Sequence, residues 1–281
     1  MIDYSLLRTE TTSTTDIPES QSSPADDPPR ADVPASRIQR LIAGRMLASK
    51  RCKPCFYLET KADVTELLGM RHHLSKALGV KITSNAFLIH ALSLAARQYP
   101  LMVGRFVWQD PQDPAAGAVI RVAESINIGF AVNGPQGLVV PVVKDAQDKS
   151  LAVIATEEKL LTDKARSNRL TLDDLEGQTI GLSNLGAYDI DSFIAIVPPL
   201  VSAILAAGKI DLAAVPQEGR VTVRKMMSLS LAVDHRVIHG EYAAGFLQSL
   251  TEQLKDPEGT DVHRPRAAGS GRECSGQAPF P

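Results

Sequence analysis

Apolar residues recur along this chain with two different periods, which predict alternating helices and strands. A helical period predicts four helices, near residues 37–50, 64–78, 85–98 and 151–168. Ser84 is a suitable N-cap for the third of these helices, and Pro100 is a stop signal after it. Apolar and β-branched runs of strand length lie between the helices. The pattern predicts an α/β fold in which helices cover a mixed β-sheet.

Two strongly β-branched runs flank residues 133–137, whose sequence is Asn-Gly-Pro-Gln-Gly. Glycine can adopt a positive φ, so this segment predicts a hairpin turn. Pro141 lies within the second run and has no N–H group to donate to a neighbouring strand. We therefore expect residues 139–143 to lie at the edge of the sheet or to be kinked there.

The run at residues 226–233 has the Leu, Met and Val content of a buried strand, and His235 follows it closely. After Gly240 the sequence predicts an amphipathic helix at residues 241–254, with one face formed by Ala244, Leu247, Leu250 and Leu254. His235 should thus lie at the rim of a rigid element. An imidazole there can be a hydrogen-bonded core residue or a catalytic group, and the local residues leave both interpretations open.

The composition is that of a globular protein. The chain has 281 residues, of which 44% are hydrophobic and 22% charged, and its formal net charge is -2. This balance gives no electrostatic reason to expect a nucleic acid partner. Because no apolar run approaches the roughly 18 residues of a membrane-spanning helix, we expect no membrane association. Acidic residues Asp3 and Glu10 argue against a secretory signal or transit peptide, which favours a cytoplasmic location.

The two ends differ in composition from the middle of the chain. Residues 1–32 are dominated by Ser, Thr, Pro and Asp and show little apolar periodicity. Such a segment cannot bury enough apolar surface to become ordered, so it predicts a flexible tail. Residues 259–281 have the same character. The folded domain is therefore predicted at residues 33–258.

Cys52 and Cys55 form a C-x-x-C pair, a spacing that occurs in metal and redox sites. A zinc site needs four ligands, and the sequence contains no second pair of this kind. A redox pair normally opens a helix, whereas this pair precedes the strand predicted at residues 56–60. We expect free thiols and no bound metal.

Several segments resemble, in the same order, the catalytic domain of the 2-oxo acid dehydrogenase acyltransferases. These are the dihydrolipoamide acyltransferase components of the 2-oxo acid dehydrogenase complexes, and the resemblance spans about residues 33–257. The matching segments are VPASRI at 33–38, IAGRM at 42–46, FYL at 56–58, INIGFAV at 126–132, GLVVPVV at 137–143, the stretch from Leu170 to Gly177, LSNLG at 182–186 and DHRVIHG at 234–240. The resemblance implies a fold like that of chloramphenicol acetyltransferase.

The resemblance also implies a reaction and the residues that perform it. His235 matches the general base of the family, and Ser183 matches the hydroxyl that stabilises the oxyanion of the tetrahedral intermediate. The substrates would be coenzyme A, as its acyl thioester, and a dihydrolipoyl thiol. In the family, the site lies between two subunits of a homotrimer, with the histidine and the serine supplied by neighbouring chains. A monomer would then have no complete site.

The sequence departs from the family pattern at four places. His239 stands four positions after His235, where the family pattern has aspartate, and it is our third candidate catalytic residue. Residues 198–201 lack the family's Asn and Gln. The segment before the core is too short for a lipoyl domain, so a separate lipoyl-bearing carrier protein, or other components of a dehydrogenase complex, should supply the lipoyl group. Residues 255–261 are polar where the family has an apolar terminal segment, so we expect assembly to stop at the trimer.

Three functions are compatible with these observations. The first is an active acyltransferase that exchanges acyl groups between coenzyme A and dihydrolipoamide. The second is a non-catalytic trimeric scaffold or paralogue in which His239 marks the loss of turnover. The third is a stand-alone coenzyme A-dependent acyltransferase that acts on a small amine or alcohol. The sequence predicts neither the acyl group nor the residues that bind coenzyme A.

Overall fold

The computed structural model describes residues 32–110, 112–217 and 219–255. Most of the predicted tails, and the polar segment after Lys255, lie outside these residues. The helices are α1 (Arg37–Cys52), α2 (Thr65–Ala77), α3 (Ser84–Gln98), α4 (Leu151–Arg166), α5 (Leu172–Leu175) and α6 (Gly240–Lys255). The strands are β1 (Cys55–Asp63), β2 (Gly104–Trp108), β3 (Ala118–Val122), β4 (Ile128–Phe130), β5 (Val132–Gly134), β6 (Gly137–Val139), β7 (Val142–Val143), β8 (Ile180–Asn184), β9 (Ala203–Gln217) and β10 (Arg220–Asp234).

The main sheet has six strands in the order β1-β10-β9-β8-β4-β7. β8 is parallel to both of its neighbours, whereas the other pairs are antiparallel. The prediction of a mixed sheet covered by helices is therefore confirmed. β1, which contains the strand predicted at residues 56–60, lies at one edge of the sheet and pairs only with β10 among the described strands.

The predicted turn and edge strand are both present. β5 and β6 pair as a hairpin, and Gly137 adopts a φ of 118° at the turn, a conformation that favours glycine. Pro141 lies between β6 and β7, where its carbonyl accepts a hydrogen bond from the N–H of Phe130. β7 then forms the other edge of the main sheet. The proline thus occurs where a missing N–H group disrupts no central pairing.

The sequence located helix α3 correctly but misassigned its cap. Thr83, rather than Ser84, is the N-cap, and its hydroxyl accepts a hydrogen bond from the N–H of Ala86. Neighbouring hydroxyl residues are equally good caps by composition, so only the backbone conformation distinguishes them. The helix ends at Gln98, and Pro100 begins a short 3-10 turn, as the stop signal predicted.

The two faces of the sheet are covered differently. One face carries the main core, in which α3, α4 and α6 bury residues such as Leu205, Leu231 and Val233. Side chains that alternate with these, including Ile204 and Ala232, point to the second face and form a small cluster with Val197 and Val201. In α6, Leu247, Leu250 and Leu254 are buried as predicted, whereas Ala244 is exposed and Ala243 beside it is buried. The second face thus retains open surface for a site.

No helix among the described residues combines the length and apolar character needed to cross a membrane.

His90, in the middle of α3, gives the fold a predicted pH dependence. Burial lowers the pKa of this imidazole to about 4, so the folded protein holds it neutral while the unfolded chain binds a proton near pH 6.5. Stability contributed by the neutral form is complete above pH 6.5 and is lost as the pH falls toward 4. We expect the free energy of unfolding to decrease by about 3 kcal/mol over this window because of His90.

Denaturant unfolding at pH 7 and pH 4.5 would measure this decrease. His90→Leu should reduce the difference between the two pH values, and the matched variant His72→Gln, at an exposed position of α2, should leave it unchanged. Equal pH dependence in the His90 variant and the unmodified protein would contradict the assignment.

Candidate active site

His235 lies immediately after β10, with its imidazole exposed on a firmly held loop. Its backbone N–H donates to the carbonyl of Pro54 at 2.9 Å. The ring of Phe56 contacts the imidazole edge to face, with the centroids 5.5 Å apart. The prediction that this histidine is held at the rim of a rigid element is confirmed, and the imidazole is accessible to a reacting group.

A buried ion pair stabilises this loop. Asp234 is only 1% exposed, and its two carboxylate oxygens accept hydrogen bonds from Arg236 at 3.0 and 2.7 Å. The Asp234 carbonyl accepts from the N–H groups of Val237 and Ile238, and the Arg236 guanidinium stacks 4.8 Å from the ring centre of Phe106. A bidentate pair of this kind fixes both side chains, so the conformation of residue 235 is set by its neighbours.

The C-x-x-C segment contacts the loop that carries His235. Cys52 ends α1, Cys55 begins β1, and both are free thiols. Lys53 between them has an extended backbone, and its ammonium group donates to the carbonyls of Pro198 and Val201. Burial lowers the pKa of Lys53 to about 8, although the nearby Asp234 opposes this effect. The segment therefore anchors the chain beside His235 through Lys53.

Ser183 lies in β8, next to the turn that follows the strand. The next residue, Asn184, accepts a hydrogen bond from the N–H of Gly186 at 2.9 Å and donates to Asn85 at 2.8 Å. Gly208 packs against this turn so closely that a Cβ atom at Gly186 would lie 2.7 Å from the Gly208 carbonyl oxygen. Close backbone packing thus holds the segment that carries the Ser183 hydroxyl.

Strand register separates the two candidate residues within one chain. Ser183 and Ser230 both pair with Ala206, from opposite sides of β9. The two serines are thus separated by two strand spacings of about 4.8 Å each. His235 lies five residues beyond Ser230, and each residue advances along the strand by about 3.3 Å. The two Cα atoms are therefore roughly 19 Å apart, because these two displacements are perpendicular. A single chain does not bring His235 and Ser183 together.

The face that carries Ser183 also contains an open cavity of about 390 Å³. Lys209 lies in its wall with Asp189, Asp191 and Asp211 at 3.3, 3.0 and 3.2 Å. Hydrogen bonds that Lys209 donates to these carboxylates raise the pKa of its ammonium group, which stays charged. The other polar residues of the wall are Lys61, Ser192 and Ser228. Among the described residues, no group of three His, Cys, Asp or Glu side chains is arranged to hold a metal ion.

His239 has a structural role that the sequence did not reveal. It directly precedes α6, its carbonyl accepts from the N–H of Ala243, and its Nδ1 accepts from the N–H of Tyr242 at 3.4 Å. These bonds place the imidazole at the N-cap of the helix, and the second bond requires an unprotonated Nδ1. No salt bridge in the described part of the chain includes this side chain, whose hydrogen bond is made to the start of α6.

The N-cap assignment predicts how substitutions at residue 239 affect stability. Asparagine and aspartate are better caps than imidazole, so His239→Asn and His239→Asp should raise the free energy of unfolding by about 0.5 kcal/mol, and His239→Ala should lower it by a similar amount. Thermal or urea unfolding of the three variants measures the order of their stabilities. If the alanine variant were as stable as the asparagine variant, the N-cap assignment would be contradicted.

Two residues near Ser183 were not singled out from the sequence. Glu158 is buried in α4, at 5% exposure, and Asn85 lies in the first turn of α3. The signal for Glu158 was present, because it interrupts an apolar helical face formed by Leu151, Ile154, Leu161 and Ala165. Asn85 gave no comparable signal, since polar residues are ordinary at a helix start.

Comparisons with known proteins identify the family. The sequence model of the 2-oxoacid dehydrogenases acyltransferase (catalytic domain) matches residues 27–260. The acetyltransferase component of the pyruvate dehydrogenase complex from Rickettsia bellii is 32% identical over 229 residues, which are 80% of this chain and 53% of that protein. Component 2 of the mitochondrial complex of Arabidopsis thaliana is 36% identical over 234 residues, 81% of this chain and 42% of that protein. The chain thus spans about half the length of these relatives.

A solved structure gives the same result. The dihydrolipoamide acetyltransferase of Azotobacter vinelandii superposes with a TM-score of 0.75 at 31% identity, covering 82% of this chain and 93% of that one. That structure is described in terms of a serine, a histidine and an asparagine in the catalytic mechanism of the acetyltransferase, the histidine 52 positions after the serine and the asparagine four positions after the histidine. Because the family model covers most of the sequence and this fold agrees, the chain belongs to the 2-oxoacid dehydrogenase acyltransferase family and contains its catalytic domain.

Proposed function

We propose that this protein transfers acyl groups between coenzyme A and a dihydrolipoyl thiol, with His235 as general base and Ser183 as oxyanion donor. One observation carries the assignment of the residues. Ser183, His235 and His239 have the same separations in this chain as the serine, histidine and asparagine named for the Azotobacter vinelandii enzyme. The structure of the loop and of β8 supports both roles, since each side chain is held by its neighbours and neither is sealed in the core.

The chemistry of thioester exchange matches these two groups. The imidazole of His235 takes the proton of the attacking thiol, and the resulting thiolate adds to the thioester carbonyl. The hydroxyl of Ser183 donates a hydrogen bond to the oxyanion of the tetrahedral intermediate. When the carbon–sulfur bond of the donor breaks, the departing thiolate recovers the proton from the imidazolium. The acyl group has then moved from one sulfur to the other.

The separation of the two residues supports a site shared between chains. With their Cα atoms roughly 19 Å apart, the imidazole of His235 and the hydroxyl of Ser183 cannot both reach one thioester carbon, because reacting atoms must approach within about 3.5 Å. We therefore place His235 of one protomer opposite Ser183 of the next, in a homotrimer of the kind implied by the family resemblance. Exposed apolar side chains support extensive contact between copies, and they include Leu41 and Leu47 of α1 and Leu212, Val221 and Val223 of the β9–β10 hairpin.

His239 favours an active enzyme over a scaffold. The Azotobacter vinelandii protein has an uncharged asparagine at the corresponding separation, so a carboxylate is not required there for catalysis in this family. The Nδ1 atom of His239 accepts the N-cap bond that an asparagine side chain can also accept. The substitution therefore keeps an acceptor at the start of α6, where it maintains the loop that carries His235.

The lipoyl group and the protein that carries it complete the proposal. We expect the dihydrolipoyl arm to come from a separate carrier protein of a 2-oxo acid dehydrogenase complex, since the relatives are components of such complexes. Coenzyme A would enter as the acyl thioester, with no metal involved. The cytoplasmic location expected from the sequence remains a prediction.

The test is a thiol-release assay with acetyl-, propionyl- and isobutyryl-coenzyme A and free dihydrolipoamide as acceptor. Release of coenzyme A that depends on dihydrolipoamide is the expected result. The absence of turnover with every donor would overturn the proposal in favour of a scaffold. Turnover only with an amine or alcohol acceptor would overturn it in favour of a stand-alone acyltransferase.

A further inference from the structure

Cys52 and Cys55 are two free thiols beside the loop that carries His235, and the chemistry described above uses neither. Cys52 is the last residue of α1 and is exposed, whereas Cys55 is the first residue of β1 and is half-buried. Because the pair ends a helix instead of opening one, it is not arranged as the reactive pair of an oxidoreductase. Burial raises the pKa of Cys55, so the accessible Cys52 is the thiol that reacts first with an external reagent.

The segment between the two thiols is hydrogen-bonded directly to His235. The carbonyl of Pro54 accepts a hydrogen bond from the backbone N–H of His235 at 2.9 Å. Cys55 pairs with Asp234, the residue before His235, at the start of β1. The ring of Phe56 then contacts the His235 imidazole edge to face. A change of backbone conformation between the two thiols would therefore move the proposed general base.

The backbone between the two thiols is extended, which keeps them too far apart for a disulfide. Lys53 has a φ of -114° and a ψ of 113°, and Pro54 leads directly into β1. Three residue steps of extended chain span about 10 Å. The Cα atoms of a disulfide, however, lie within about 7 Å of each other. Forming a disulfide therefore requires the chain to bend at Lys53 and Pro54, and this bend would withdraw the Pro54 carbonyl from His235.

This bend is feasible because the segment lies at the margin of the fold. β1 is an edge strand of the main sheet, and Cys55 is its first residue, where pairing opens most easily. The Lys53 ammonium group donates to the carbonyls of Pro198 and Val201, and its long side chain can keep these bonds while the backbone turns. Because the disulfide would form only with such a rearrangement, it should be readily reduced, as strained and exposed disulfides are.

We infer that Cys52 and Cys55 form a reversible modification site for small-molecule disulfides, and that oxidation of this site displaces His235. The thiolate of Cys52 attacks one sulfur of the small disulfide, which forms a mixed disulfide and releases one small thiol. The thiolate of Cys55 then attacks the sulfur of Cys52, which forms the Cys52–Cys55 disulfide and releases the second small thiol. The two protein thiols are oxidised and the small disulfide is reduced. The two protons of the protein thiols are transferred to the released thiols.

Treatment of the assembled, fully reduced protein with glutathione disulfide tests the inference. We expect a disulfide between Cys52 and Cys55, identified by mass spectrometry of proteolytic peptides. Hydrogen exchange at the His235 amide should accelerate, because this amide loses its acceptor at Pro54. The initial rate of acyl transfer should fall about 10- to 100-fold, because the imidazole is misplaced by about an ångström. Dithiothreitol should reverse all three changes, and dihydrolipoamide, which is itself a dithiol, should restore the rate during the assay.

Two matched variants distinguish this site from other thiols. Cys52→Ser should keep slow exchange at His235 and full activity in glutathione disulfide, whereas Cys274→Ser, at a position outside the described residues, should respond like the unmodified protein. Absence of the Cys52–Cys55 disulfide, unchanged His235 exchange once it has formed, or an equal loss of rate in Cys52→Ser would overturn the inference. The effect on rate rests on the proposed function of His235. If the unmodified protein shows no acyl transfer, the proposed function fails, and exchange at the His235 amide still decides whether the disulfide displaces this residue.

Discussion

His235→Ala is expected to lower kcat for acyl transfer by about 10²- to 10⁴-fold, the contribution of a positioned general base to a proton transfer. A thiol with a pKa of about 8.5 is mostly protonated at neutral pH. Without the imidazole, the nucleophilic thiolate is therefore present only as a minor species. The backbone of the loop should persist, because Asp234 and Arg236 hold it without the imidazole. Initial-rate measurements together with light scattering would show loss of turnover in an intact oligomer.

The control for this prediction is His73→Ala, at an exposed position of α2. It removes an imidazole of the same kind and should retain full activity. Raising the pH into the range where free thiols ionise should partly restore the rate of the His235 variant, because the thiolate then forms without a base. A His235 variant as active as the control would exclude the residue as the base.

Ser183→Ala is expected to lower kcat by about 10²- to 10³-fold while KM changes little. The hydroxyl contributes mainly when the carbonyl oxygen becomes an oxyanion, so its loss affects the transition state more than substrate binding. Steady-state kinetics with varied acyl-coenzyme A measures the two parameters separately. Ser230→Ala is the matched control, since Ser230 on β10 and Ser183 on β8 both pair with Ala206 of β9. Equal changes in kcat and KM would indicate ordinary substrate binding.

The two variants together test whether the site is shared between chains. When His235→Ala and Ser183→Ala chains are mixed in equal amounts and refolded, about a quarter of the interfaces should combine an intact His235 with an intact Ser183. Activity should recover to about a quarter of that of the unmodified protein, although neither variant is active alone. Mixed oligomers without any recovery would place both residues in a site within one chain.

The elements of the fold that have a strong period were accessible from the sequence. The helices α3 and α4 and the long strand β10 carry unbroken patterns, and the position of His235 at the end of β10 followed from the end of the apolar run. The choice between Thr83 and Ser84 as a cap was not accessible, since it depends on one pair of backbone angles.

The site was only partly accessible, because distances depend on strand register. Ser183 and His235 could be matched to a family motif, but their separation of roughly 19 Å follows from the pairing of both strands with β9, which no local pattern encodes. The N-cap role of His239 was missed because histidine is an uncommon cap. The contact between Glu158 and Thr83 was missed because the two residues lie 75 positions apart in the sequence.

The distance between Ser183 and His235 has a consequence for how the protein tolerates mutation. If each catalytic pair joins two molecules, turnover is linked by mass action to self-association, and specific activity should decline on dilution below the dissociation constant of the assembly. A substitution on the contact surface, far from either side chain, would then lower the reaction rate without unfolding the chain. Selection for catalysis would act on the whole of that surface.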